Sequence, residues 1–193
     1  MVMDKQQNTG VIIGWAIGAI AIVWAIYIII SLIIDYGTSR GINIGTTATA
    51  ILIVDHEFWI VGHVGDSRAY RIKDDIEMLT EDQTVVQLEV RRGKITMEEA
   101  EKDSRNNVLL QCVGCYDDVT PIFSYGSVDR NCTYMLCSDG FRHRISMWEM
   151  YQFLNPLVNY DESVMQRNAM KLVELNKARK EEDNISVLML RTA

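Results

Sequence analysis

Residues 11–34 carry no charged side chain, and Ser31 is the only hydroxyl in the run besides Tyr27. About 20 apolar residues cross a bilayer as a helix, and a buried core helix normally keeps a polar stripe. The run therefore predicts a transmembrane helix over 11–34, preceded by a polar tail over 1–10. A cleaved signal peptide has an apolar stretch of only about 7–15 residues and a small-residue cleavage site; Asp35-Tyr36-Gly37 follows here instead. Residues 35–44 read as a linker, because Gly37 and Gly41 punctuate the stretch and Gly45 follows it.

Beyond Gly45 the period changes. Thr47–Val54 and Phe58–Val64 are β-branched and apolar, and Asp55-His56-Glu57 between them predicts a hairpin. Ala69–Ile72 and Ile76–Leu79, around Lys73-Asp74-Asp75, predict a second. Tyr134–Cys137 and Ile185–Leu190 read as later strands. Three capping boxes mark helix starts. Thr80-Glu81-Asp82-Gln83 opens a helix to Arg92 before Gly93, Thr96-Met97-Glu98-Glu99 opens the next, and Ser146-Met147-Trp148-Glu149 opens one that runs through Leu154 and stops at Pro156. Residues 162–179 place Met165, Ala169, Leu172 and Val173 on one helical face. Strands in hairpins with helices grouped between them make the class α+β with antiparallel sheet.

Composition adds little chemistry. The net charge is −7 with scattered basic residues, so no basic stripe points to nucleic acid. Lys5 and Arg40 flank the apolar run too thinly to orient it. Cys112, Cys115, Cys132 and Cys137 do not read as a secreted disulfide framework. Cys132 and Cys137 lie in or beside an apolar strand as small hydrophobes, which favours a reducing compartment for residues 36–193. Cys112-Val113-Gly114-Cys115 has the spacing of half a zinc site, but no second pair accompanies it and the chain has only His56, His63 and His143. His63, inside an apolar strand, reads as a packed core histidine. Gly10, Gly14 and Gly18 form small-xxx-small steps that allow close pairing of apolar helices and leave a homodimer open.

Three aspartates stand out. Asp66 follows the second strand, Asp139 follows Tyr134–Cys137, and Asp183 precedes Ile185–Leu190. Strand ends and neighbouring strand starts meet at one edge of an antiparallel sheet. Three bare carboxylates at one edge repel each other unless a cation sits among them, and hard ions such as Mg²⁺ or Mn²⁺ take oxygen ligands.

In order along the chain come Gly45-Thr46-Thr47-Ala48, Val64-Gly65-Asp66-Ser67-Arg68, Leu79-Thr80-Glu81-Asp82, Gly93-Lys94-Ile95-Thr96, Cys137-Ser138-Asp139-Gly140 and Asp183-Asn184-Ile185-Ser186. This series resembles the bacterial metal-dependent protein phosphatases, the PPM or type 2C family, over about residues 45–191. The resemblance implies an antiparallel β-sandwich flanked by helices, and a Mn²⁺- or Mg²⁺-dependent phosphoserine/phosphothreonine hydrolase acting on a phosphoprotein or paired with a kinase. It implies that Asp139 and Asp183 ligate the second catalytic metal and that Asp66, with Asp139, holds a third. Two cations then clamp the phosphate and activate a bridging water, so no protein nucleophile is assigned. Arg68 is read as a guanidinium that fixes nearby carboxylates.

Upstream of Gly45 nothing matches the family's phosphate-binding Arg or its metal-bridging Asp-Gly pair. The expectation is therefore a membrane-anchored partial phosphatase domain over 45–193 with an incomplete catalytic site and an exposed sheet edge. A pseudophosphatase that binds without turnover and a fragment of a split phosphatase are the alternatives. The apolar run implies a single-pass membrane protein, with the domain placed in the cytoplasm from cysteine usage and family analogy.

Overall fold

The computed structural model describes residues 28, 31–32, 34–42, 44–115 and 119–192. It divides into two units, residues 1–45 and 46–193. Most of the run read as a transmembrane helix lies outside the described residues. Among the described residues, no helix is long and apolar enough to cross a membrane.

In the first unit, residues 35–38, read as the start of the linker, are helical. The helix closes on Gly41, where the amide of Ile42 reaches the Gly37 carbonyl and that of Gly41 reaches the Thr38 carbonyl, both near 3 Å. This double bond pattern satisfies the last carbonyls. A glycine that reads as linker punctuation thus serves as a helix stop.

Among the described residues, the second unit has two antiparallel sheets and five helices. Strands β1 (Ala48–Val54), β2 (Phe58–Val64) and β5 (Ile122–Ser127) form one sheet in the order β1-β2-β5. Strands β3 (Arg68–Ile72), β4 (Ile76–Met78), β6 (Thr133–Cys137) and β7 (Val187–Arg191) form the other, ordered β4-β3-β6-β7. The β1–β2 connection is three residues, Asp55 to Glu57; Asp55 and His56 hold left-handed φ of 51° and 58°, and the Glu57 amide donates to the Val54 carbonyl at 2.9 Å to close the turn. The helices are α1 (Val85–Arg91), α2 (Met97–Lys102), α3 (Asp139–Arg142), α4 (Met147–Leu154) and α5 (Glu162–Ala178).

Strand alternation sorts side chains between two cores. Ala69 and Tyr134 face the space between the sheets with Trp59, Val61, Leu79 and Cys132. Tyr70, Ile72, Met135 and Cys137 face the other way and pack under Phe141, Ile145, Met150, Leu154 and Leu172. One face of the four-stranded sheet thus closes the sandwich while the other seats α3–α5, which is why β3 and β6 are buried on both faces. The sheet β1-β2-β5 leaves Leu52, Phe58, Ile60, Phe123 and Tyr125 exposed on its outer face.

The Thr96 and Ser146 capping boxes form as read, each with reciprocal bonds to Glu99 and Glu149. The Thr80 box does not. Helix α1 starts at Val85 and is capped by Thr84, whose hydroxyl accepts from the Gln87 amide. Thr80 instead accepts from the Ala69 amide, and the Gln83 amide donates to the Gly65 carbonyl. Tertiary contacts with the Gly65–Ala69 segment hold residues 79–83 extended and override the local helix signal.

Candidate metal centre

The three aspartates lie at one end of the four-stranded sheet. Register pairs Arg68 with Cys137 and Cys137 with Val187, so the start of β3, the end of β6 and the start of β7 are neighbours. Asp66 sits in the turn before β3, Asp139 opens α3 directly after β6, and Asp183 lies in the loop before β7.

Glycines permit the approach at two of these points. Gly65 holds φ +108°, and a Cβ there would collide with the Thr47 side chain. A Cβ at Gly140 would stand 2.6 Å from the Asn184 carbonyl oxygen and 3.2 Å from Asp183 Cβ. The Asp139-Gly140 and Asp183-Asn184 segments are therefore in contact. Ser138 ties them further: its hydroxyl donates to the Asn184 carbonyl and accepts from the Ser186 amide, each at 3.0 Å. Glu181 orders the second segment by accepting from the Glu182 and Asp183 amides at 3.1 Å.

Electrostatics mark the same corner. Asp66 is buried; burial first, and then the charge of Asp139, push its carboxyl above the ordinary range. A carboxylate destabilised by a neighbouring carboxylate is the condition a cation relieves, and the donors are hard oxygens suited to Mn²⁺ or Mg²⁺. The donor set fits such an ion in kind. The three side chains are not drawn into one coordination set: among the described residues, no group of three His, Cys, Asp or Glu is placed to hold a metal.

A basic frame surrounds the corner. Arg68 grips Asp82 through two bonds of 2.9 and 2.8 Å and donates to the Tyr70 hydroxyl at 3.2 Å. This is the carboxylate-fixing role read from the sequence, with Asp82 as the partner. Arg142 Nη2 lies 3.4 Å from the Asp66 carbonyl oxygen and 3.5 Å from Asp82 Oδ2. His143 stands between Asp139 (3.7 Å) and Glu181 (3.6 Å). Arg142, His143 and Glu181 carry no separate signal in the sequence, because their contacts join segments far apart in the chain, and Asp82 stood there only as the end of the Leu79-Thr80-Glu81-Asp82 motif. Arg142 and His143 could be suspected only from their place one turn beyond Asp139.

Other residues settle into structural roles. His63 is buried between the Thr49 hydroxyl and the Gly65 carbonyl, and burial lowers its pKa. Burial pushes the Cys137 thiol up to about 12, so this cysteine beside the corner stays protonated and is no nucleophile at neutral pH. Cys112 and Cys115 are joined as a disulfide with Cα atoms 5.7 Å apart, which the sequence reading did not anticipate; Cys132 and Cys137 are free and buried. A cavity of about 750 Å³ adjoins the corner, lined among others by Arg68, Asp82, Lys102, Arg142 and His143.

Comparison with known proteins points the same way. The family model for protein phosphatase 2C matches residues 34–112. The chain is 34% identical over 105 residues to the serine/threonine protein phosphatase PstP of Mycobacterium tuberculosis, covering 54% of this chain and 20% of that one. It spans 20–63% of the length of the curated relatives it matches. Among solved structures, the serine/threonine phosphatase of S. agalactiae superposes with a TM-score of 0.75 at 26% identity, over 85% of this chain and 66% of that one. The catalytic domain of PstP in complex with two manganese ions superposes with a TM-score of 0.68 at 28% identity, over 83% of this chain and 65% of that one.

Proposed function

We propose that this chain, whose residues 34–112 match the family model for protein phosphatase 2C, is a member of that family and hydrolyses phosphoserine or phosphothreonine in a protein substrate with the help of Mn²⁺ or Mg²⁺. The observation that supports the proposal is that the segments carrying Asp66, Asp139 and Asp183 meet at one end of the four-stranded sheet. The relative solved with two manganese ions supports the choice of metal. Asp139 and Asp183 would hold one ion, and Asp66 with Asp139 another. A bound ion supplies a Lewis acid that polarises phosphoryl oxygens and makes a water nucleophilic near neutral pH.

This chain's own residues do the rest. Ser138 and Glu181 hold the two aspartate segments against each other. Arg68, locked on Asp82, fixes the strand that follows Asp66. The adjoining cavity gives a phosphorylated side chain room beside the corner, with Arg142 and Lys102 on its wall to attract the anion.

Phosphate release from a phosphothreonine peptide by the full chain tests the reading. Release should require Mn²⁺, stop with EDTA and fall to background in Asp139→Asn. Tight Mn²⁺ binding without turnover would sink the enzymatic reading. It would leave the second one, a phosphoprotein- or kinase-binding module, which the undrawn carboxylate set and the placement of Arg142 favour. Anchoring in a membrane through residues 11–34, with the domain in the cytoplasm, belongs to the same proposal. The anchoring rests on the charge-free run, and resistance of the chain to alkaline carbonate extraction tests it; the cytoplasmic placement rests on cysteine usage and family analogy.

A further inference from the structure

The Cys112–Cys115 disulfide joins residues three apart in the chain. Cys112 is buried and Cys115 is exposed, while Cys132 and Cys137 are free and buried. A disulfide stabilises a fold chiefly by closing a long loop in the unfolded chain, so a bond across three residues is a weak staple. Exposed disulfides are the labile ones, because a thiolate can reach the sulfur. In the cytoplasmic placement proposed above, a disulfide is usually a redox-active one.

The segment that carries the pair braces the turn around Asp66 by two routes. Val113, between the two cysteines, exchanges backbone bonds of 2.9 and 3.0 Å with Thr46. The next residue, Thr47, abuts Gly65, and its hydroxyl bonds that of Ser67 at 3.0 Å. The other route runs through Gln83. The Leu110 amide donates to the Gln83 carbonyl at 2.7 Å, and Gln83 Oε1 accepts from the Gly65 amide at 2.8 Å. Gln83 Nε2 donates to the Thr120 carbonyl at 2.9 Å, and the Thr120 amide donates to the Gln111 side chain at 3.1 Å. Both routes start within two residues of Cys112 and end on the neighbours of Asp66.

We propose that Cys112–Cys115 is a reversible redox site, opened by a thiol reductant, which sets how firmly the Gly65–Ser67 turn is held. A reductant thiolate attacks Sγ of the exposed Cys115; the S–S bond breaks, and its electron pair leaves on the Cys112 sulfur, which takes a proton. A second reductant thiolate attacks the first reductant's sulfur in the mixed disulfide and releases Cys115, which is protonated in turn. The pair gains two electrons and two protons, and the two reductant thiols leave as their disulfide. Joined, the sulfurs pin Val113 against Thr46. Opened, they free that segment to leave the bridge, and the turn loses one of its two braces. The redox step needs no metal; only its consequence for the aspartate corner rests on the metal-site reading given above.

Glutathione is the probe, applied to the detergent-purified full chain in native, metal-free buffer. With excess reduced glutathione, alkylation followed by peptide mass mapping should find Cys112 and Cys115 as free thiols, and oxidised glutathione should restore the bond. Amide hydrogen exchange at Thr46, Val113 and Gly65 should then be about tenfold or more faster in the reduced chain, with the β6 amides unchanged. Cys115→Ser should exchange like the reduced chain whether or not glutathione is present. A pair that is reduced only after unfolding in urea overturns the proposal, as does acceleration that stops at Thr46 and Val113 without reaching Gly65, or a Cys115→Ser chain that exchanges like the oxidised one. The parent chain carries the first two readouts alone, so they survive if the variant fails to fold. Because no metal is added, failure here leaves the phosphate-release test with Asp139→Asn untouched.

Discussion

Replacing Asp82 with alanine should be among the most damaging single changes to the second unit, although Asp82 lies in a connection and in a stretch that reads as the start of a helix. Its side chain is 9% exposed and accepts from two guanidiniums, twice from Arg68 and once from Arg142. Removal leaves two positive charges facing each other with no carboxylate between them. Breaking a buried ion pair by deleting one partner costs about 3–5 kcal/mol. Arg68 keeps 21% of its side chain exposed, so water recovers part of that loss and the lower end, about 3 kcal/mol, applies. For a domain of this size each kcal/mol moves the melting temperature by roughly 2–4 °C, so Asp82→Ala should melt about 6–12 °C lower by calorimetry. The double variant Arg68→Met/Asp82→Leu removes both charges and fills the space with apolar atoms. It should recover a good part of the loss, with a coupling of about 2 kcal/mol in the double-mutant cycle. An Asp82→Ala protein that melts within about 2 °C of the parent, or strictly additive single and double variants, would show that Arg68 does not depend on Asp82 and that the frame around Asp66 is held otherwise.

Further outcomes follow from the same geometry. Glu149 caps α4 and accepts from Arg179 at 3.0 and 2.5 Å, and these bonds hold its carboxyl down from about 4.5 to about 2. A depressed carboxyl stabilises the fold above its unfolded pKa, so this contribution should fade as pH falls from about 4.5 towards 2; the pair is exposed, and its worth is under roughly 1 kcal/mol. Glu149→Gln should flatten that part of the stability–pH profile measured by urea unfolding. Leu172→Ala, at a fully buried position under the four-stranded sheet, should cost about 2–5 kcal/mol in the same assay. Gly140→Ala should weaken Mn²⁺ binding with far less effect on melting, because the new methyl meets the Asn184 carbonyl at 2.6 Å and must drive the Asp183 segment away from Asp139. Unchanged Mn²⁺ affinity in that variant would mean that the contact of the two segments does not shape the site.

The hairpins, the long α5 and two of three capping boxes were legible in the sequence because their signals are local. Alternation and β-branching mark β1 to β4, and Thr96 and Ser146 meet their partners within one turn. Strand β5 escaped notice because its pattern is inverted. Phe123 and Tyr125 face outward while Ser124 and Gly126 face in, so the apolar positions do not mark the core. The Thr80 signal failed for a different reason. Its four residues satisfy a helix motif, but Thr80, Asp82 and Gln83 are each engaged by Ala69, Arg68 and Gly65, and three tertiary bonds outweigh one cap. That the segments carrying Asp66, Asp139 and Asp183 end at one sheet edge was legible, because strand ends meet where registers align. Arg142 and Glu181 were not, since nothing short of the folded chain shows which segments they bridge.

The same contrast bears on what the corner is built to do. Each of the three aspartates stands in a short motif whose other members have backbone duties: Gly65 turns the chain past Thr47, Gly140 lets Asn184 close in, and Ser138 bonds the neighbouring loop. Those duties bury Asp66 and bring the charge of Asp139 near it, and burial first and then that charge raise its pKa. A fold that only needed a stable sheet end would lose nothing by placing asparagine there. Asp66→Asn should therefore leave the melting temperature unchanged or raise it in metal-free buffer, since it removes a buried charge crowded by another. In excess Mn²⁺ the unmutated chain should gain more stability than the variant, because only a bound state in which the metal meets that carboxylate rewards keeping it. Thermal unfolding of both proteins with and without Mn²⁺ separates the cases. A variant that is less stable without metal would mean that Asp66 serves the fold and not a ligand.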